Sequence, residues 1–473
     1  MPRVLSLVFL GLALATAHPR ACAQGFALTR LTDNTWDDQP GQVDRMLVLD
    51  LAMRPNAVFV GSTPAGQWAV YHAWRPDSWV VQPAVEDPFG LYSPTLASAP
   101  SGAVHLTYCR WTDTGTSIDH TRILEGTVDP PDPICPADPS LAIPSVAVGP
   151  DSAIHVVLCQ SDSICYVRRE ETGWSPPERL AEGRFASLAV GPDGECHVVY
   201  QWMDAERVNS VWYVHGTRGA WSYPQHLAGA DGLSARYPTI AVDLEGRVHV
   251  AYEQFVPDDR LIDYLVRSAG VWSAAEHVAS GVQPALALDA TGSPYVAFWT
   301  FSAFNGVAVS RRLPGPVWTT ISVDPEARFG SEVPLRPGLA VDDADDVQVV
   351  YDSRDPRGGD DTEIWYATGQ VTSDVPRADS PGGVELSCWP NPARRSLAIR
   401  WVLAAPGWSR VTVSDLCGRH VRTLREGTSA AGECTATWDG LDALGQRVPA
   451  GLYWCRVRTE HSEATRKVVL IGD

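Results

Sequence analysis

Residues Tyr237–Tyr252 read YPTIAVDLEGRVHVAY, two short runs around a turn. Thr239–Val242 and Val248–Tyr252 are rich in β-branched and aromatic residues, which favour strands. Asp243–Gly246 joins them and ends in glycine, the residue that most readily adopts the positive φ of a tight turn. The stretch therefore predicts a β-hairpin.

Variants of this hairpin recur along most of the chain. They read SPTLASAPSGAVHLTY (ending at Tyr108), IPSVAVGPDSAIHVVL (Leu158), FASLAVGPDGECHVVY (Tyr200), QPALALDATGSPYVAF (Phe298) and RPGLAVDDADDVQVVY (Tyr351), after a looser copy, DLAMRPNAVFV (Asp50–Val60). The residue three places before the end of each copy is here named the anchor. The anchors are His105, His155, His197, His249, Tyr295 and Gln348, at steps of 42 to 53 residues. Repeats of about this length with four strands each are typical of β-propellers.

A strand that begins with tryptophan follows several hairpins. The three most similar copies are WSPPERL, WSYPQHL and WSAAEHV, beginning at Trp174, Trp221 and Trp272. The last repeat ends one strand short, and FALTRLT (Phe26–Thr32) resembles the missing strand. We therefore predict an all-β, seven-bladed β-propeller over residues 24–371, with six or eight blades as alternatives. Its N-terminal strand should complete the last blade, because an open ring would leave unpaired sheet edges.

The first residues have the pattern of a secretory signal peptide. Arg3 gives the positive start, Val4–Ala15 the apolar segment and Ala21–Ala23 a cleavage site, so residues 1–23 are predicted to be removed; cleavage after Ala17 is the alternative. No later apolar run is long enough to cross a bilayer. We expect a chain that is secreted or held at the outer cell surface. Its net charge of −19 argues against a nucleic-acid partner.

Residues 372–383 (TSDVPRADSPGG) form a predicted linker to a second domain, residues 384–473. The short alternating runs there suit a small Ig-like β-sandwich, with Trp438 and Tyr453 in its interior. WPNPARRSLAIRW, VTVSDLCGRHVRTL, TATWDGLDALGQRVPAGLYWCRV and TRKVVLI resemble the Ig-like domain of the flagellar hook-capping protein. The stretch is also similar to the C-terminal sorting domain of the type IX secretion system. The resemblance implies secretion and surface attachment, with the secretion machinery as a partner.

The propeller part also resembles known families. LTRLTDNTWDDQPGQ (Leu28–Gln42) is similar to the opening of TolB-type propellers. VVYDSRDPRGGDDTEIWYA (Val349–Ala367) resembles repeats of sialidase-like and other exported bacterial propellers. The sialidase motif S-x-D-x-G-x-T-W is not found, and no residue matches the sialidase catalytic set. The resemblance therefore implies a fold and not an activity.

The anchor histidines are expected to be structural, because a catalytic group is needed once and not once in each blade. Residues that differ between blades and precede the inner strands are better candidates for ligand binding, since propeller ligands favour the channel mouth. Arg184, Arg236 and Arg336 could meet there and hold an anionic group. Tyr92 and Tyr237 could stack on a sugar. The alternative is that these arginines pair with local carboxylates.

No cofactor is evident in the sequence. The acidic turn at Asp342, Asp343, Asp345 and Asp346 could hold Ca²⁺, which prefers several oxygen ligands from a flexible loop. The alternative is a solvated turn that binds nothing.

Ten cysteines in an exported chain suggest disulfides. The candidate pairs are Cys159 with Cys165 across a hairpin, Cys109 with Cys135, and Cys434 with Cys455 on strands that we expect to be neighbours.

Three functions remain open at this point. The first is a secreted or surface-attached bacterial propeller that binds a glycan, a peptide or an envelope protein. The second is a sialidase-like glycoside hydrolase or lyase, which needs paired carboxyl groups at the mouth. The third is a structural module of an extracellular assembly. The sequence favours binding over catalysis.

Overall fold

A computed structural model describes residues 26–32, 45–113, 115–137, 143–229, 233–256, 259–300, 306–328, 335–354, 362–371, 385–389, 393, 396–403, 406–415, 420–429, 432–449, 451–459 and 463–470. The predicted signal peptide and linker lie outside these residues. The chain forms two compact units, Met1–Val371 and Thr372–Asp473. Every regular element in the described residues is a β-strand, so the all-β prediction is confirmed.

Seven antiparallel sheets of four or five strands make up the described part of the first unit. The first strand in the chain, β1 (Ala27–Arg30), belongs to the last sheet. The first three sheets consist of β2 (Leu47–Leu49), β3 (Pro55–Ser62), β4 (Trp68–Trp74) and β5 (Val80–Asp87); β6 (Leu91–Ser98), β7 (Val104–Thr112), β8 (Gly115–Leu124), β9 (Thr127–Val128) and β10 (Asp132–Ala137); and β11 (Ser145–Val148), β12 (Ile154–Gln160), β13 (Ser163–Glu170), β14 (Gly173–Trp174) and β15 (Glu178–Glu182).

The remaining four sheets continue in chain order. They consist of β16 (Arg184–Val190), β17 (Cys196–Met203), β18 (Asn209–Thr217), β19 (Ala220–Trp221) and β20 (Gln225–Ala228); β21 (Ala235–Val242), β22 (Val248–Val256), β23 (Asp259–Ser268), β24 (Val271–Trp272) and β25 (Glu276–Ser280); β26 (Val282–Leu288), β27 (Pro294–Thr300), β28 (Gly306–Leu313) and β29 (Val317–Asp324); and β30 (Gly338–Val341), β31 (Asp346–Arg354) and β32 (Thr362–Gln370), with β1 on its outer edge.

The seven sheets stand in a ring. Their inner strands are β2, β6, β11, β16, β21, β26 and β30; each contacts the next, and β30 contacts β2. One cavity of about 650 Å³ is lined by all seven. Inner strands that surround a common axis are the arrangement of a β-propeller. The propeller predicted from the repeat is therefore confirmed as a fold class.

The two ends of this unit meet in one sheet. β1 pairs with β32, with Ala27 opposite Thr368 and Arg30 opposite Trp365. The Leu31 amide continues the ladder by donating to the Ile364 carbonyl at 2.8 Å. The outer edge of the last sheet is thus covered by the first strand of the chain, which removes an edge that could pair with other molecules.

The core lies between successive sheets. Val157, Ile164 and Tyr166 of the third sheet pack in one cluster with Leu188 and Val198 of the fourth. Each sheet buries its apolar faces against its neighbours, and this burial, worth about 25 cal/mol for each Å² of apolar surface, drives the ring to form.

The second unit contains two sheets. Their strands are β33 (Glu385–Trp389), β34 (Leu397–Leu403), β35 (Gly407–Asp415), β36 (His420–Ser429), β37 (Gly432–Trp438), β38 (Gly451–Thr459) and β39 (Glu463–Leu470). One sheet has the order β33-β34-β37 and the other β36-β35-β38-β39. Trp438 and Tyr453 are buried edge to face in the shared core with ring centroids 5.1 Å apart, as expected for a sandwich interior.

Strand register rules out two of the predicted disulfides. Cys159 lies opposite Ile164, whereas Cys165 lies opposite Leu158, so the two cysteines point to opposite faces of the sheet. Cys109 and Cys135 both lie opposite Ile118 of β8, which runs between their strands. Two strand spacings, about 9.5 Å, exceed the reach of a disulfide.

The third predicted pair rested on a wrong strand order. Cys434 lies on β37, which pairs with β34, whereas Cys455 lies on β38, which pairs with β35 and β39 in the other sheet. Their strands are therefore not neighbours, and the two cysteines are not joined to each other.

Candidate ligand-binding face

The anchors hold strands together. Four of the six anchors bond to a tyrosine of the third strand, as in the hydrogen bonds of His155 Nδ1 with the Tyr166 hydroxyl (2.7 Å) and of Gln348 with the Tyr366 hydroxyl (2.9 Å). The corresponding pairs are His197 with Tyr213 and His249 with Tyr264, while His105 bonds to His120. Burial lowers the pKa of His155 to about 4, so the ring is neutral. A neutral, buried, repeated imidazole fits the structural role expected from its recurrence.

Cys196 and His155 form the one anchor contact that resembles a nucleophile with its base. The Cys196 Sγ lies 3.2 Å from His155 Nδ1. Both residues are buried, and burial raises the pKa of the thiol to about 12 while it lowers that of the imidazole. Neither the thiolate nor the imidazolium is favoured, so the pair is part of the core and not a reactive centre.

Near the start of the inner strand, the second, fourth, fifth and sixth sheets share one backbone feature in the pairs Tyr92–Ser93, Arg184–Phe185, Arg236–Tyr237 and Val282–Gln283. The second residue of each pair has a positive φ of 51° to 55°, and the strand register shifts across it. These residues are Ser93, Phe185, Tyr237 and Gln283. Left-handed residues other than glycine are uncommon and concentrate at functional sites. β-bulges of this kind redirect side chains, and here they do so on one face of the ring.

Side chains of the preceding sheet hold these bulges. The Tyr237 amide donates to Gln201 Oε1 at 3.2 Å, and the Gln283 amide donates to Glu253 Oε2 at 3.3 Å. Gln201 and Glu253 are each the fourth residue after an anchor. At that position Trp299 donates to the Leu335 carbonyl of the next sheet at 2.8 Å. The contact thus links the fourth sheet to the fifth, the fifth to the sixth, and the sixth to the segment before β30.

A glycine before the bulge is required in the fourth and sixth sheets. A Cβ atom on Gly183 would lie 2.5 Å from the Tyr200 ring, and one on Gly281 would lie 2.4 Å from the Phe298 ring. The chain can therefore pass over these aromatic rings only where no side chain is present.

Aromatic rings and guanidinium groups come together at the bulge of the fifth sheet. The Arg236 guanidinium lies 4.0 Å from the Phe255 ring centre and 4.8 Å from that of Tyr237. The Arg260 guanidinium lies 4.6 Å from the same Phe255 ring centre, and Phe185 meets Tyr237 edge to face with ring centroids 5.3 Å apart. All five side chains are half-buried. We name them the mouth cluster: Phe185, Arg236, Tyr237, Phe255 and Arg260.

Glu253 holds this cluster from its buried side. Its Oε1 accepts hydrogen bonds from Arg236 Nε at 3.1 Å and Nη2 at 2.9 Å, and the carboxyl is fully buried. Burial raises the pKa of Glu253, while Arg236 and Arg260 act in the opposite direction. Arg236 is thereby held across the Phe255 and Tyr237 rings.

The structure brings together some of the predicted mouth residues and separates others. Arg336 is buried and donates to the carbonyls of Tyr237 (2.9 Å) and Pro238 (3.2 Å), so it supports the mouth cluster from the backbone side. Arg184 pairs with Asp162, with Nε 2.9 Å from Oδ1. Tyr92, on the second sheet, lies edge to face with Trp111 at 6.0 Å.

Sequence reasoning missed Glu253, Phe255 and Arg260. The position four residues after the anchor carried a signal for Glu253, because it varies between sheets while the residue before it is a tyrosine, leucine or phenylalanine in every copy. Its occupants are Cys109, Cys159, Gln201, Glu253, Trp299 and Asp352.

The cavity on the axis lies at the other end of the inner strands. It is lined by small and aliphatic residues such as Ala147, Ala189 and Ala241, and by the turns that follow them. Arg45 also lines it and donates to the carbonyls of Leu188 and Ile240, both at 2.9 Å. None of the predicted mouth residues lines this cavity.

In the acidic turn of the last sheet, a carboxylate accepts hydrogen bonds from the backbone of the turn. Asp342 Oδ1 accepts from the amides of Ala344 and Asp346, both at 2.9 Å. Asp243 makes the same two contacts in the fifth sheet, with the amides of Glu245 and Arg247. The remaining carboxylates Asp345 and Asp346 meet Arg311 and Gln370. Within the described residues no group of three or more His, Cys, Asp or Glu side chains is placed to hold a metal ion, and calcium binding at Asp342, Asp343, Asp345 and Asp346 stays a prediction.

Within the described residues, no helix has the length and hydrophobicity that a membrane span needs. No curated protein sequence matches this chain. Among solved structures, a protein of unknown function from Dyadobacter fermentans is 12% identical with a TM-score of 0.48, covering 74% of this chain and 99% of its own. A polysaccharide lyase of family PL25, an ulvan lyase, is 10% identical with a TM-score of 0.49, covering 71% and 94%.

PorZ, a surface component of the type IX secretion system of Porphyromonas gingivalis, is 14% identical with a TM-score of 0.40, covering 94% of this chain and 61% of its own. These scores lie below 0.5, and the activities of these proteins are not transferred to this chain. The second unit gives a sharper result: residues 396–463 match the model of the FlgD Ig-like domain, which is the family that the C-terminal motifs resemble.

Proposed function

We propose that this chain is a secreted or surface-attached binding protein whose propeller holds a glycan at the mouth cluster. The observation that carries the proposal is the stack of Phe255, Arg236 and Tyr237, with Phe185 at its edge, on a face shaped by left-handed bulges. Aromatic rings bind the apolar faces of sugars, and oriented guanidinium groups bind hydroxyl or carboxylate oxygens. The rings are held before any ligand arrives, which reduces the entropy lost on binding.

The second unit would attach the protein to its site of action. Its match to the FlgD Ig-like domain supports a module that recurs at the C-termini of exported proteins. In this proposal the propeller meets the ligand, while residues 384–473 engage the secretion machinery or the cell surface.

A glycan array tests the proposal, with the full chain as the probe. Binding should fall about tenfold in Tyr237→Asn and in Phe255→Ala, the loss expected when one aromatic contact of about 1.4 kcal/mol is removed. Asparagine is chosen at position 237 because it tolerates the left-handed backbone found there. Tyr223→Asn is the matched control, since its side chain is exposed between β19 and β20, away from the mouth cluster.

Two other results would replace the proposal. Peptide or envelope-protein ligands that depend on the same residues, with no glycan bound, would keep the site and change the ligand class. A fluorogenic glycosidase panel and an assay for unsaturated lyase products run beside the array; turnover of any substrate would favour the hydrolase or lyase alternative. Equal binding by the variants and their control would remove the mouth cluster as the site.

A further inference from the structure

Two cysteines face each other inside the sandwich of the second unit. Cys388 lies on β33 of one sheet and Cys455 on β38 of the other. Cys455 is fully buried in the core of this unit, and Cys388 packs against the same core while remaining half-buried. Leu386 shares the face of Cys388, because it is two residues away on one strand, and it is buried in that core.

Independent contacts fix the two strands relative to one another. Arg466 lies opposite Cys455 in the strand register, and its Nε donates to the Leu386 carbonyl at 3.0 Å. β33 and β39 also lie in direct contact. Both cysteines pack against the one core of this unit, and each shifts the pKa of the other, which is lowered at Cys388 and raised at Cys455. The geometry of the strands therefore brings together the two groups that would form a bond across the sandwich.

We propose that Cys388 and Cys455 are a redox-active pair that forms a disulfide between the two sheets. Cys434, the partner that the sequence suggested for Cys455, lies on the third strand of the opposite sheet. The pairing Cys388 with Cys455 was hidden from the sequence because it depends on which strands face each other across the core.

Thiol–disulfide exchange supplies the chemistry. The Cys388 thiol is the accessible one; it loses its proton and attacks a sulfur of a small disulfide such as oxidised glutathione, which releases one glutathione thiolate. The Cys455 thiol then loses its proton and attacks Cys388 Sγ, which releases the second glutathione. Two protein thiols are oxidised, one glutathione disulfide is reduced to two thiols, and the protons pass through solvent. Cys455 lowers the pKa of Cys388, which favours Cys388 as the first nucleophile.

Peptide mapping of the full chain tests this pairing. The chain is equilibrated with oxidised and reduced glutathione, quenched with acid, unfolded and alkylated. The expected result is loss of two alkylatable thiols and a linked peptide pair that contains residues 388 and 455. Cys388→Ser should abolish the linked pair, while Cys434→Ala, a change in the same core, should leave it intact.

The wild-type chain alone can overturn the proposal. Cys388 and Cys455 that both remain alkylatable at equilibrium in excess oxidised glutathione would refute it, and so would a peptide that links Cys455 to Cys434. A second readout is independent of the variants: the midpoint of thermal unfolding of the second unit should be higher in the oxidised than in the reduced wild type. A lower midpoint in the oxidised form, with the linked peptide present, would show that the folded sandwich does not accommodate the bond and would also reject the pair.

Discussion

Trp79 lies edge-on against Tyr366, with ring centroids 4.7 Å apart and ring planes at 67°. Trp79 precedes the outer strand of the first sheet, whereas Tyr366 lies in the third strand of the last. Trp221 meets Tyr166 in the same way at 5.0 Å, and Trp272 and Trp318 repeat the contact with Tyr213 and Tyr264. The first and last sheets therefore use the contact that also joins the third sheet to the fourth, the fourth to the fifth and the fifth to the sixth.

Replacing Trp79 should destabilise the ring at its junction. Trp79→Ala removes a large half-buried side chain and should lower the free energy of unfolding by about 3 kcal/mol. Trp79→Phe keeps an edge-to-face contact and should lose about half as much. Denaturant unfolding followed by circular dichroism measures both. Trp68→Ala, at an exposed tryptophan, is the control, and an equal loss there would argue against a special role for the Trp79 contact.

The pairing of β1 with β32 predicts a second effect. Leu31→Pro removes the amide that donates to the Ile364 carbonyl and a buried aliphatic side chain. We expect a loss of about 3 to 5 kcal/mol in the free energy of unfolding of the first unit. Hydrogen exchange should show faster exchange first at Ile364–Ala367, opposite the altered strand. Unchanged protection there would mean that β1 does not stabilise the last sheet.

The anchor histidines make stability depend on pH. Burial lowers the pKa of His155 and His197 to about 4, from 6.5. The unfolded chain binds more protons than the folded chain between these values, so stability is complete above pH 6.5 and is lost as the pH falls toward 4. Each imidazole should cost roughly 1 kcal/mol by about pH 5.5.

Glutamine tests this origin, because Gln348 already fills an anchor position and bonds to Tyr366. The double variant His155→Gln and His197→Gln should unfold at lower pH than the wild type, although it need not be more stable at pH 7. Acid titration of circular dichroism at constant temperature measures the midpoint. A midpoint that does not move would place the acid sensitivity in other groups.

Glu253 should tolerate glutamine but not alanine. Gln201 fills the equivalent position in the preceding sheet and accepts the bulge amide there. Glu253→Gln keeps one acceptor oxygen, which can serve the Gln283 amide as Gln201 serves the Tyr237 amide but not Arg236 as well, so its cost should be about 1 to 2 kcal/mol. Glu253→Ala leaves a partly buried guanidinium and a buried amide without this acceptor and should cost about 3 kcal/mol. Thermal unfolding of the two variants side by side decides the matter, and equal losses would contradict the proposed support of the bulge.

The repeat made the propeller predictable. The close copies of the hairpin have turns of the same length as the one between Val242 and Val248. The local signals therefore agree with the fold that they build. The FALTRLT stretch could be assigned to the last sheet because the repeat itself shows which strand is missing.

The mouth cluster could be found only in part. Arg236 and Tyr237 stood out because they interrupt the repeat, but Phe255 and Arg260 join them through the pairing of β22 with β23, which a single sequence does not reveal. The disulfide predictions failed for a related reason. One residue of register decides the face on which Cys159 or Cys165 lies, and spacing along the chain does not fix that parity.

The junction between the first and last strands has a consequence for how the molecule is made. A chain that emerges N-terminus first presents β1 more than 330 residues before its partner β32 is available. Until then, the Trp79 ring lacks its Tyr366 contact, and the backbone groups of Thr29 and Arg30 lack their strand partner. Intermediates that expose these groups are prone to self-association. Such a long loop closes late in folding, because the chain loses conformational entropy before the contacts between the two strands form. A chain that ends just before Thr362 should therefore form an open ring that self-associates. A chain that is a few residues longer should be monomeric.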